Sequence, residues 1–242
     1  MAEALLDQRA RHGLALLRPP GHHARPGTGM GFCLLNNVAV AAAHARARGA
    51  ERVAIVDWDV HHGNGTQEMF YDDPSVLYVS LHQFPFYPGT GAADEIGSGE
   101  GAGYTLNIPL SAGAGDAVYV AAFERLVCPI VAEFDPDLVL VSAGFDAHHR
   151  DPLAGMSVTE AGYAAMTQRL AASIPRGAAA RLGFLLEGGY DLTGLRGALR
   201  AALEALDPTP PEGPPELSGD ISPRHEAELA RAKAAQSPYW KL

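Results

Sequence analysis

The sequence holds only two cysteines, Cys33 and Cys128, among its 242 residues. Two thiols with no C-x-x-C spacing exclude a disulfide framework and a cysteine-based zinc or redox motif, and they fit a reducing, cytoplasmic compartment. No apolar run is long enough to span a bilayer, and the start Met1-Ala2-Glu3-Ala4 lacks a charged segment followed by an apolar one, so neither membrane insertion nor export is expected. Nor is there a Lys/Arg block. The formal net charge is -10 and the basic residues are scattered, as over 44–48, which argues against a nucleic-acid footprint. Ser80 and Ser142 do not sit in a G-x-S-x-G elbow, and Cys33 has no flanking activation pattern, so a serine or cysteine nucleophile is not indicated. The glycine-rich stretch 89–101 has neither the P-loop lysine nor the dinucleotide-binding spacing, and it reads as a mobile loop. There is no internal repeat.

What is present is a chain 47% hydrophobic, of a length that suits one α/β domain. Apolar runs bounded by Gly, Pro and polar residues predict strands over 14–18, 52–57, 76–82, 104–110, 138–142 and 182–187. Helical spacing predicts helices over 37–48, 116–133, 159–173 and 192–206, the third opening on Thr159, whose hydroxyl is placed to cap it. Alternation of the two implies a three-layer α/β/α arrangement, with a mostly parallel, doubly wound sheet between helices. Prolines across 207–215 forbid a helix or central strand, so 207–221 reads as a connector to a last helix over 222–235, followed by the tail Pro238-Tyr239-Trp240.

Four predicted strands each run straight into residues able to do chemistry. The first leads to His22-His23, the second to Asp57-Trp58-Asp59-Val60-His61-His62, the fifth to Asp146-Ala147-His148 and the sixth to Glu187-Gly188-Gly189-Tyr190. Ligands of open α/β sheets bind beyond the carboxyl ends of the strands, so these loops are expected to meet at one rim. Asp57, Asp59 and His61 alternate, and an extended backbone points such residues to one side. An Asp and a His from this loop, with Asp146 from another, make a three-ligand site with room left for water and substrate, as catalytic zinc requires. The bland alternative is that strand-end Asp and His residues merely cap helices or bind loop amides. Two aspartates and two histidines crowded after one buried strand weigh against it, because their charges need a compensating cation or hydrogen bonds. His22 and His23 are candidate proton carriers; Asp57 suits the support of one imidazole and neutral Asn64 the other. Tyr190, delivered by two glycines, is a candidate hydrogen-bond donor to a developing oxyanion.

These residues resemble the histone deacetylase superfamily, whose members include bacterial deacetylases and acetylpolyamine amidohydrolases on the arginase–deacetylase fold. The resemblance rests on RPPGHHA at 18–24, GFCLLNN at 31–37, DWDVHHGNGTQ at 57–67, SLHQFPFYPGTG at 80–91, SAGFDAH at 142–148, DPLAGM at 151–156 and EGGY at 187–190, in family order. The wording is similar to the class II-like branch. Family members ordinarily carry a sizeable segment before the first motif, so the chain reads as a deacetylase domain over 1–242 that is shortened at its N-terminus.

The resemblance implies Zn²⁺, or Fe²⁺, held by Asp59, His61 and Asp146. It implies His22 and His23 as the acid/base pair, Tyr190 as oxyanion donor, Asp57 behind His22, and Asn64 behind His23 or His62, with His62 itself just outside the ligands. Gly31, Phe32, Tyr87, Leu153 and Gly189 are expected to line the substrate channel. Structural K⁺ is implied near Asp57, Asp59, His61, Ser80 and Leu81, and a second near Phe70, Asp73 and Val76. The expected partner is an acetylated lysine side chain, an acetylated polyamine or another small acetylated amide, in a monomer or an oligomer. Leucine at 153, where polyamine-selective eukaryotic relatives place a glutamate, weakens the case for a cationic substrate. A non-catalytic acyl-group-binding protein that keeps the metal loop is the alternative. An arginase-like dimanganese site would need further aspartates and a histidine that DWDVHHGNG lacks.

Overall fold

The computed structural model describes residues 1–175, 181–207, 217 and 219–242. Six strands, β1 (His12–Ala15), β2 (Val53–Asp57), β3 (Val76–Gln83), β4 (Thr105–Leu110), β5 (Leu138–Ala143) and β6 (Leu182–Leu186), form one sheet in the order β1-β6-β5-β2-β3-β4. Every pairing is parallel. The helices are α1 (Ala2–Leu6), α2 (Asn37–Ala47), α3 (Asn64–Phe70), α4 (Asp116–Ala122), α5 (Cys128–Phe134), α6 (Glu160–Ser173), α7 (Leu192–Glu204) and α8 (Pro223–Gln236). None of these is long and apolar enough to cross a membrane.

The side-chain alternation of the central strands builds the layers. Val53 and Ile55 of β2 pack with Leu5, Val38, Ala42 and Phe70 of α1, α2 and α3 on one face, while Ala54 and Val56 join Val118, Met166, Ala198 and Leu229 of α4, α6, α7 and α8 on the other. A strand covered on both faces must be apolar throughout, which is why 53–56 reads as an unbroken hydrophobic run.

Two strands lie on either side of a reversal that matters for function. β2 pairs with β3 on one edge and with β5 on the other, so Asp57 lies level with both Ser80 and Ser142. Loops leaving neighbouring strands at such a reversal diverge and open a crevice.

The predicted elements are all found, with differences of physical origin. β1 ends at Ala15 instead of continuing to 18, because the amide of Leu17 turns back to the Ala15 carbonyl (3.0 Å) and the following Pro19 and Pro20 have no N–H to donate. The helix over 116–133 is α4, a π turn at Phe123–Val127 and α5 in succession. Pro129, which cannot bond back one turn, sits just beyond the widened segment. Thr159 does begin α6, but its hydroxyl donates to Asp116 (2.7 Å) and does not bond the helix amides. α1 and α3 are short and were not anticipated. The glycine-rich stretch is tied down where a mobile loop was expected: the Ser98 amide donates to the Tyr71 carbonyl (2.8 Å) and that of Gly103 to Ile96 (2.7 Å). The tail docks, with the Trp240 indole N–H on the Gly103 carbonyl (2.8 Å) and its ring edge-on to Tyr104. Most of the connector proposed for 207–221 lies outside the described residues.

Ile55, fully buried at the centre of β2, tests the packing. Ile55→Ala is expected to lower unfolding free energy by about 3 kcal/mol. Leu192→Ala, at a site 78% exposed, is expected to stay within about 0.5 kcal/mol of the parent in the same urea titration.

Candidate active site

Beyond Asp57 the chain stays extended. Trp58 and Val60 enter the core on the α4–α8 side, and the intervening Asp57, Asp59 and His61 are thereby turned the other way. Asp146 arrives from the loop after β5, across the sheet reversal. Its Oδ2 lies 3.1 Å from His61 Nδ1, and Asp59 Oδ1 lies 3.3 Å from the same nitrogen. The Asp59, His61 and Asp146 donor atoms all fall within 4.8 Å of one another. Among the described residues this is the one group of three or more His, Cys, Asp or Glu side chains arranged to hold an ion.

The backbone aims these ligands. The Gly188 amide donates to Asp59 Oδ2 (2.7 Å) and the Val60 amide to Asp146 Oδ1 (2.9 Å), leaving the opposite oxygen of each carboxylate toward His61. Such outer hydrogen bonds fix the orientation of metal ligands. Residue 188 must be glycine, since a Cβ there would lie 2.2 Å from Asp146 Oδ2 and 2.6 Å from Asp59 Oδ2.

The donor set suits a divalent cation. Both aspartates are about 1% exposed. Burial, and then the neighbouring Asp59 charge, lift the Asp146 carboxyl to about 7. Burial opposes protonation of His61, but its hydrogen bonds to Asp146 and Asp59 outweigh this and hold it at about 10. A cluster that holds a proton so tightly has a deficit of positive charge that an ion bound by one nitrogen and two carboxylate oxygens would supply.

His22 and His23 stand beside this cluster in different electrostatic settings. His22 Nδ1 lies 3.0 Å from Asp57 Oδ2 and its Nε2 lies 3.7 Å from Asp59 Oδ1. Burial works against the imidazolium, but Asp57, Asp59 and Glu187 together raise His22 well above the usual histidine range. His23 Nδ1 lies 3.0 Å from Asn64 Oδ1. Burial and the adjacent His22 push it down to about 3, with Asp59 and Asn64 only partly opposing. A neutral His23 therefore donates from Nδ1 to Asn64 and keeps Nε2 as an acceptor. Gly31 makes room for it: with φ +54, any Cβ there would lie 2.3 Å from the His23 ring.

A cavity of about 310 Å³ opens over the cluster, with Asp59, His61 and Gly188 inside and His22, His23 and Tyr190 on its sides. Gly31, Phe32, Tyr87 and Leu153 complete its walls toward solvent. Burial, with Asp59 and Asp146 adding, raises the Tyr190 phenol above its ordinary value, so it stays a hydrogen-bond donor.

Two expectations are corrected. Gly189 does not line the cavity; a side chain there would meet Leu195 and Phe145, and Gly188 takes its place. His62 does not stand against the ligands; its ring nitrogens pair with Thr90 Oγ1 (2.8 Å) and Gln67 Oε1 (2.9 Å), in a separate buried polar network. Of the two histidines offered to Asn64, the geometry selects His23. The backbones of Asp57, Asp59, Ser80 and Leu81, named for potassium, lie together on β2 and β3 and just beyond, and Phe70, Asp73 and Val76 share the turn from α3 to β3.

Two carboxylates at the site went unassigned from sequence. Glu187 is fully buried and accepts the amides of Gly21 (2.6 Å) and His22 (3.1 Å) and the Ser142 hydroxyl (3.1 Å), holding the histidine pair to the end of β6. Asp151 binds the amides of Leu153 and Tyr190, two residues of the cavity lining. Their partners are mostly backbone N–H groups, which every residue but proline carries, so no residue pattern announces them. Ser80 and Ser142 are fully buried, and burial raises the Cys33 thiol to about 11, so none of the three is placed to attack a substrate.

Residues 1–206 match the histone deacetylase domain model. The chain is 42% identical over 254 residues to a probable deacetylase of Archaeoglobus fulgidus, covering 99% of this chain and 70% of that protein. It is 45% identical over 252 residues to the human polyamine deacetylase HDAC10, covering 100% of this chain but only 36% of that protein. The crystal structure of the HDA15 HD domain superposes with a TM-score of 0.88 at 46% identity, over 99% of this chain and 66% of that one. The chain belongs to the histone deacetylase family and has its arginase–deacetylase fold.

Proposed function

We propose that this chain is a zinc-dependent deacetylase that hydrolyses the acetamide of an acetylated amine to the free amine and acetate. The observation that carries the reading is the convergence in one cavity of Asp59, His61, the His22–His23 pair and a protonated Tyr190, with Asp146 behind. Zn²⁺ held by Asp59, His61 and Asp146 would supply a Lewis acid that polarises the amide carbonyl and acidifies water. His23, neutral and oriented by Asn64, takes the proton of the attacking water at Nε2. The His22–Asp57 pair keeps a positive charge beside the developing oxyanion, and Tyr190 donates a hydrogen bond to it. An imidazolium of the histidine pair then protonates the departing amine nitrogen. In the same reading a structural K⁺ would be held near Asp57, Asp59, His61, Ser80 and Leu81 and would supply fixed positive charge behind the ligand loop.

The mouth favours an acetyl-lysine side chain or a similar acetamide over a polycation. Phe32, Tyr87 and Leu153 at the mouth are apolar or aromatic and 73%, 45% and 45% exposed, and among the described residues the one carboxylate lining the cavity is the buried Asp59. A second ammonium on the substrate would thus meet no outward-facing carboxylate among the described residues that line the cavity.

A hydrolysis screen over acetyl-lysine peptides, acetylpolyamines and small acetamides, with metal content measured on the same preparation, tests the reading. Acetate release with zinc bound supports it; bound zinc with no release from any of the three classes would instead mark an acyl-group-binding protein. Tyr190→Phe is expected to keep its metal and lose roughly a hundredfold to a thousandfold in kcat, the scale of an oxyanion-hole deletion. Wild-type turnover in that variant removes Tyr190 from the mechanism.

Gly31→Ala probes the seating of His23. Its methyl group overlaps the imidazole, so kcat is expected to drop by about tenfold or more while zinc stoichiometry holds. Unchanged turnover would show that His23 is not the group whose position limits the rate.

A further inference from the structure

Asp151 makes more contacts than a turn requires. Its Oδ1 accepts the amide of Leu153, two residues on (3.0 Å), which is an ordinary Asx turn. Its Oδ2, which such a turn would leave to solvent, instead accepts the amides of Tyr190 (2.7 Å) and Asp191 (3.3 Å) from the loop after β6. The residue is only 7% exposed, and its own amide is tied to the His148 carbonyl (2.8 Å).

This contact closes a restraint on the segment that carries Tyr190. Gly188 at one end is fixed by its amide on Asp59 Oδ2 (2.7 Å), and the Gly189 carbonyl accepts from Arg18 (3.4 Å). Asp151 supplies the pin at the far end. Without it the Tyr190 amide itself would have no tie to this loop, since the bonds just beyond it, from the Gly194 amide (2.7 Å) and the half-exposed Arg150 guanidinium (3.2 Å), are made to the Asp191 side chain. The same carboxylate fixes the backbone of Leu153, another residue of the cavity lining, so the segments that carry Tyr190 and Leu153 are held by one side chain.

We infer that Asp151 is a positioning residue that locks Tyr190 and Leu153 at a fixed separation, acting on turnover through the Tyr190 hydroxyl. The inference rests on the deacetylase reading for its kinetic consequence, though not for the restraint itself. Asp151→Asn keeps one acceptor oxygen and turns the other into an NH₂ donor that faces an amide N–H, so one of the two links must break.

The experiment is a double-mutant cycle on the metal-loaded full chain with D151N, Y190F and the double variant, read as kcat and KM separately. D151N is expected to lower kcat on the order of tenfold to a hundredfold, with KM changed by less than about threefold and zinc content unchanged. In the Y190F background it is expected to cost less than about threefold more, because the group it positions is already gone. Additive losses in the double variant, a change in KM alone, or parental kcat in D151N would overturn the inference. Amide hydrogen exchange on the parent decides the restraint even if D151N fails to fold. The Tyr190 and Asp191 amides should be strongly protected although they precede the helix, and free exchange at both refutes it. If the parent hydrolyses no acetamide while those amides are protected, the proposed function fails and the restraint stands.

Discussion

Two carboxylates buried within reach of one imidazole are the constraint around which this molecule is arranged. Asp59 and Asp146 are almost wholly removed from water, and two like charges so placed repel each other by far more than they would at a surface. The fold offsets this with His61, with the amides of Val60 and Gly188, and with a donor geometry suited to a divalent cation. Each of these has a consequence elsewhere. Gly188 must lack a side chain, Val60 and Trp58 must face the core, and β5 must lie beside β2 so that Asp146 can reach across.

The sheet reversal between β2 and β5 provides that juxtaposition without special loop structure. A parallel strand order that runs outward from β2 in both directions sends successive crossovers to opposite sides, and the gap between the departing loops is a cleft floored by backbone amides. The β6 loop completes it by bringing Glu187 to the histidine segment and Tyr190 to the cavity wall. The two histidines then differ because of their surroundings: burial and the charge of His22 lower His23, whereas Asp57, Asp59 and Glu187 overcome burial at His22. A carboxylate behind His22 keeps it charged, and an amide behind His23 leaves it neutral. Adjacent identical residues thereby acquire opposite proton affinities, the separation that acid/base chemistry at one pH demands.

Much of this was legible in the residues. His61, Asp146 and the pair Asp57 and Asp59 could be picked out because charged residues directly after buried strands are costly and so informative, and the i, i+2 spacing gives the loop residues a common side. The choice of Asp59 over Asp57 as ligand came from the family resemblance. The pairing of Asp57 with His22 came only from the family resemblance, and the geometry chose between the two histidines offered to Asn64. The β1 boundary, α1 and α3 were not legible. Strand ends at an edge are set by where partner amides stop, and helices of five and seven residues carry too few turns for a periodic signal. Gly189 was read as the cavity-facing glycine of its pair, but which of two adjacent glycines faces the ligands depends on backbone torsions that sequence does not encode.

The carboxylates missed from sequence share a logic that the ligands do not. Asp59 and Asp146 turn one oxygen toward His61 and bind backbone with the other; Glu187 and Asp151 turn both oxygens inward, to loops of their own protein. A loop at a strand end has amides that the sheet no longer satisfies, and burying them without acceptors costs about as much as losing hydrogen bonds outright. A buried carboxylate accepts several at once, from segments far apart in sequence, and so fixes the relative position of loops that carry reacting groups. Glu187 does this for the histidine pair and Asp151 for Tyr190. The side chains that face the reaction are therefore held by others that never meet it, and the precision of the site depends on where those acidic pins are set.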